Sequence, residues 1–259
     1  MKSSIVKYLS IIYIMFIGIT SSYAIEIKNL SVAVDVAGKQ RMYTQRMLKD
    51  YAMIGLENTF GNPKNDLKQI MHDFEDHLDS LIAFNQDDAT AKSLQKVKTM
   101  WAPIKKALEN PPSKENAGKM QEDLEALLKQ ANEAVGLFAK QTGKESGKII
   151  NISGRQRMLS QRMASLYMLK VWGVNDPKFK DKMTKTMKLF KDSHEILKKS
   201  NMNTKEIDDL LSEVERAFKF FEVMNKSSTK FIPALIYKKS NEILKNMNTV
   251  TGLYAAQEK

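Results

Sequence analysis

Residues 37–47 read AGKQRMYTQRM, and residues 153–163 read SGRQRMLSQRM. The second stretch repeats the first at a spacing of 116 residues, the difference between positions 153 and 37. That spacing returns far downstream, where residues 127–141 (LLKQANEAVGLFAKQ) align with residues 243–257 (ILKNMNTVTGLYAAQ). Phe74 and Phe190, and Met71 and Met187, match on it too, while Pro63 and Pro177 lie two residues closer and put a gap in the first loop. Register kept over so long an interval marks duplication of a whole module.

Each module reads as four helices. The first covers about 27–57, and Gly61-Asn62-Pro63 breaks the chain before a second that ends near 84. A third, about 89–108, contains Pro103, which predicts a kink or two shorter pieces. Asn110-Pro111-Pro112-Ser113 breaks again, with Ser113 as N-cap of a fourth helix to about 140. The second copy predicts helices near 147–173, 177–199, 204–225 and 229–257. No alternating run marks a strand. The expected fold class is all-α: two tandem antiparallel four-helix bundle modules, 25–142 and 143–259, after a signal peptide. At the joint, residues 141–147 (QTGKESG), Gly143 suits a left-handed C-cap and Ser146 an N-cap. A tight reversal there sets the modules side by side; a helix continuous through the joint is the alternative.

Residues 1–24 have the order of a secretory address. Lys2 and Lys7 give a basic start, residues 11–19 an apolar run, and Ser22-Tyr23-Ala24 a small-residue cleavage site. The run is shorter than the about 20 residues a membrane span needs. Cleavage and a periplasmic location are therefore expected over an uncleaved anchor. The 259 residues contain no cysteine, which excludes disulfides, thiolate metal sites and cysteine nucleophiles. The formal charge of +11 comes from lysines interleaved with Asp and Glu, the pattern of a solvated surface, and export argues against a nucleic-acid partner.

The repeated motif lies on a heptad seam. Val34, Gly38, Arg41, Gln45, Leu48 and Ala52 follow steps of four and three, as do Ile150, Gly154, Arg157, Gln161, Ala164 and Met168. The stripe is apolar or small except at Arg and Gln. A glycine one turn before each arginine lets a neighbouring backbone approach. A guanidinium in an apolar seam is costly unless paired, and no seam carboxylate accompanies it. Two such helices face to face bring two guanidinium groups together, and a planar oxyanion between them matches both forks of donors. Gln45 and Gln161 add neutral donors one turn on. The plainer alternative is an arginine that turns aside to solvent or to a carboxylate of another helix. Arg46 and Arg162 point well away from the seam and are expected to pair within their own bundles. Met42, Met47, Met158 and Met163 read as core packing.

These residues resemble the P-box of nitrate/nitrite sensors. The chain resembles the periplasmic sensor domain of NarX-type histidine kinases and the related N-terminal domain of type IV pili methyl-accepting chemotaxis transducers (PilJ type), twice over. The resemblance implies four-helix bundles with an anion held between first helices by Arg41 and Arg157, with Gly38 and Gly154 as close-packing glycines. Nitrate is the leading ligand and nitrite the next. The residues after the seam arginine, Tyr43-Thr44-Gln45 and Leu159-Ser160-Gln161, depart from the nitrate sensors' pattern. No kinase or chemotaxis output module is recognisable, so a membrane histidine kinase or chemoreceptor is the expected partner. The two copies pair either within one chain, as a pseudo-dimer, or between chains.

No catalytic constellation repeats between the copies, so neither an enzyme nor a cofactor is expected. His72, Glu75, Asp76 and His77 cluster on the second helix in a way a metal site would, but Lys188 stands where His72 would recur. The competing function is a structural or partner-binding helical bundle of the cell envelope without a small ligand.

Overall fold

A computed structural model describes residues 25–226 and 232–257. The signal-peptide expectation for residues 1–24 lies outside the described residues.

The described residues form eight helices and no strand: α1 (Leu30–Gly55), α2 (Pro63–Phe84), α3 (Asp88–Leu108), α4 (Lys114–Gln141), α5 (Glu145–Trp172), α6 (Phe179–Lys198), α7 (Lys205–Lys226) and α8 (Pro233–Ala256). Their starts follow local chemistry. The side chains of Asn29, Asp87 and Ser113 accept backbone N–H groups of the first turns of α1, α3 and α4. Pro63 and Pro233 open α2 and α8, where a missing N–H leaves no helical bond unmade.

One local expectation is narrowed and one is corrected. Pro103 lies inside a continuous α3, not between two pieces, and Trp101 and Ile104 beside it are buried in the core. Ser146 is not the cap of α5 but sits in its first turn. Gly143 takes the left-handed conformation (φ +62°) and Lys144 is extended, so the chain reverses earlier. The helix is thus broken at the joint, and α4 and α5 are neighbours.

Helices α1–α4 pack as one bundle and α5–α8 as another, and one continuous cluster of buried apolar residues runs through both. Phe74 meets Trp101 with ring centroids 4.6 Å apart in the first bundle, and Phe190 meets Phe218 at 4.5 Å in the second. The Gln40 side chain donates to the Phe74 carbonyl (3.0 Å), and Gln156 repeats this with Phe190 (2.8 Å). Each bundle thereby fixes the rotation of its first helix. The most extensive helix–helix contact in the molecule joins α1 to α5. Each of these helices has one face in its own bundle and another against its counterpart. Polar residues such as Thr44, Lys49 and Asp50 are therefore fully buried. No described helix is long and apolar enough to cross a membrane.

Candidate anion site at the α1–α5 seam

The seam begins with two glycines in contact. A Cβ placed on Gly38 would lie 3.9 Å from the Gly154 Cα; further along, Lys49 meets Gln161 and Gly55 meets Trp172, so α1 and α5 run parallel. The same Cβ would lie 3.0 Å from Arg157 Nη2 and 3.5 Å from Arg41 Nη2. From Gly154 the corresponding distances are 3.0 and 3.3 Å. The glycines thus make room for backbone approach and for both guanidinium ends, which converge on one spot. Both arginines are fully buried.

Each arginine is held by its own module and by the other. Arg41 Nη1 donates to Asn132 Oδ1 on α4 (2.9 Å) and to Asn151 Oδ1 on α5 (2.8 Å), and Nη2 donates to the Asn151 carbonyl (3.2 Å). Arg157 repeats the scheme on equivalent residues. Nη1 donates to Asn248 Oδ1 on α8 (3.2 Å), Nη2 donates to the Asp35 carbonyl (3.1 Å), and the Asp35 carboxylate makes an ion pair at 2.7 Å. The Nε of both arginines is buried and has no hydrogen-bond partner among the described residues. The hydroxyls of Thr44 and Ser160 turn back onto the carbonyls of Arg41 and Arg157.

The two-fold scheme is broken at one position. Residue 35 is Asp and its equivalent 151 is Asn. Arg157 is consequently neutralised. Arg41 has only neutral acceptors, and among the described residues no carboxylate lies within ion-pair distance of it. Burial, followed by the charges of Arg155 and Arg157, lowers its pKa from the ordinary guanidinium value to about 9. It still carries its charge at neutral pH. Burial opposes ionisation of Asp35, but the charges of Arg157 and of Lys39, 3.5 Å away, outweigh it and hold the carboxyl below its ordinary value.

One turn on, Gln45 and Gln161 form a second buried polar layer. Gln45 Nε2 donates to Glu125 (3.3 Å) and its carbonyl accepts from Ser165 (3.2 Å). Gln161 Nε2 donates to the Ser240 carbonyl (3.0 Å) and its oxygen accepts from Lys49 (3.0 Å). Lys49 also reaches Asn241 and lies over the Tyr237 ring, with Asp50 3.7 Å away. Burial lowers the Lys49 pKa and raises that of Asp50.

Arg46 pairs with Asp66 inside the first bundle, as expected. Arg162 does not stay in its own bundle: it pairs with Glu125 of α4 at 2.8 Å. That carboxylate belongs to the other module, brought there by the reversal at Gly143. The four motif methionines are buried in the core. The histidine-bearing stretch of α2 does not converge on one point, although His72 Nδ1 lies 3.4 Å from Asp76 Oδ1. Glu75 accepts from Trp101 and Lys105, His77 packs against Tyr43 in the interior, and His72 faces solvent. Among the described residues no group of three or more such side chains is arranged to hold a metal.

Sequence reading overlooked Asn132, Asn248, Asn151 and Asp35. A signal was present, since Asn132 and Asn248 are identical residues at the repeat spacing. The family of type IV pili methyl-accepting chemotaxis transducer N-terminal domains matches residues 26–133 and, a second time, residues 138–250. No curated protein and no solved structure matches the chain.

Proposed function

Because the chain belongs to the family of type IV pili methyl-accepting chemotaxis transducer N-terminal domains, in two tandem copies, we propose that it senses a small planar oxyanion, nitrate or nitrite, at the paired arginines of its α1–α5 seam. Domains of this family are periplasmic sensor regions of signalling proteins and are not catalysts. The finer reading assigns ligand binding to Arg41 and Arg157, with Gly38 and Gly154 making the space and Gln45 and Gln161 forming the layer beneath. A membrane histidine kinase or chemoreceptor receives the signal.

One observation carries this reading. Arg41 is a fully buried guanidinium with neutral acceptors only, beside a second arginine. An anion there relieves both the desolvation of the charge and its repulsion from Arg157. A parallel pair of helices held by an anion is also a two-state element, since loss of the anion leaves like charges facing each other. The alternative, a ligand-free structural bundle, draws support from the same seam, because Arg157 already has Asp35 and both glutamines have protein partners.

Thermal unfolding in nitrate, nitrite, chloride and sulfate at equal ionic strength separates the two. A ligand at 100 times its dissociation constant adds about 2.7 kcal/mol. The sensing reading expects a midpoint shift with nitrate or nitrite that Arg41→Ala abolishes. Equal midpoints in all four salts favour the structural bundle.

A further inference from the structure

We infer that Asp35 is a built-in counter-ion that occupies half of the arginine pair and restricts the site to one singly charged anion on the Arg41 side. The inference rests on the anion-sensing reading and adds what selects the ligand. Without residue 35 the two modules present equivalent surroundings: an arginine, an asparagine from α4 or α8, and a contact from position 35 or 151 of the opposite central helix. The Asp35 carboxylate sits on Arg157 at 2.7 Å, where a second oxyanion edge would otherwise dock. The Asn151 amide sits at the matching place on Arg41 and brings no charge.

The two fully buried arginines and the part-buried Asp35 between them carry two positive charges and one negative. A monoanion brings them to neutrality, and a dianion leaves a buried excess of negative charge beside the Asp35 carboxylate. Lys39, 3.5 Å from Asp35, and Arg155 flank the pair; the Lys39 side chain is 27% exposed against 15% for Asp35, so water screens it more than the seam groups. The site is also directional. A symmetric pair of arginines would accept the anion equally from either helix, whereas here Asp35 repels it towards Arg41. Asp35 thus excludes sulfate-like dianions and weakens the affinity for nitrate.

The test is calorimetric titration of nitrate and of sulfate into wild type, Asp35→Asn and Asn151→Asp. Asp35→Asn copies the residue of the other module, so it keeps a side chain of the same shape. It is expected to bind nitrate about tenfold tighter and to gain sulfate binding, while Asn151→Asp binds neither. Wild type that binds nitrate alongside an Asp35→Asn variant with unchanged affinity and no sulfate binding overturns the role of Asp35 and leaves the sensing reading standing. Anion binding by Asp35→Asn alone upholds the counter-ion and removes the sensing reading. Binding by none of the three overturns both.

Discussion

Arg41 and Arg157 direct their Nη2 atoms at the same two glycines, each within 3.5 Å of where a Cβ on Gly38 would stand. Two like charges are thereby confined where two glycines let the helices approach, and among the described residues only one has a carboxylate beside it. The arrangement makes the two arginines unequal although they come from the same repeated motif.

That inequality predicts unequal responses to removal of charge. Arg157→Met leaves the part-buried Asp35 with Lys39 alone as counter-charge and should lower stability by up to about 3 kcal/mol, less than breaking a fully buried pair. Arg41→Met removes a charge that has no counter-ion, so its loss should be far smaller in anion-free buffer. Urea unfolding of both variants measures the difference.

Gly55 and Trp172 predict a steric limit at the far end of the seam. A Cβ on Gly55 would stand 2.1 Å from the Trp172 ring, so Gly55→Ala must displace an indole packed between α1 and α5. A loss of about 1–3 kcal/mol is expected from overpacking. Gly136→Ala on α4, with nothing within 4 Å of the new Cβ, is the control and should stabilise by up to about 1 kcal/mol. Urea midpoints of the pair should move in opposite directions.

The buried His77 predicts acid sensitivity. Burial first, and then the charge of Lys39, lower its pKa from 6.5 to about 4, against the opposing charges of Asp73, Asp35 and Asp76. Between those values the unfolded chain binds a proton that the folded protein does not. Stability should therefore fall as pH drops from about 6.5 to about 4, by about 3 kcal/mol for this group, and no further below that. His77→Leu should flatten this part of the profile in urea titrations across pH.

The duplication, the helix count and the seam were legible in the sequence because they are periodic. The 116-residue spacing and the four-three steps around Gly38 and Arg41 need no tertiary information. The glycine contact and the convergence of the arginines follow once α1 is known to face α5 in parallel. The hidden part was aperiodic or depended on the join. Asp35 lies six residues before Arg41 and serves the other arginine, so a search along one helix passes over it. Arg162 finds Glu125 only because the reversal at Gly143 lays α4 beside α5. Asn132 and Asn248 were visible as a matched pair, but their approach to the arginines depends on how α4 and α8 cross the central helices.

The central claim is that one chain holds one small oxyanion between its own two modules. Calorimetric titration of nitrate and of nitrite into the purified protein, beside Arg41→Ala and Arg157→Ala, tests it most directly. Saturable binding of at least one of the two at one anion per chain, lost in both variants, is the expected result. Absence of binding by either anion, or binding that survives Arg41→Ala, contradicts it.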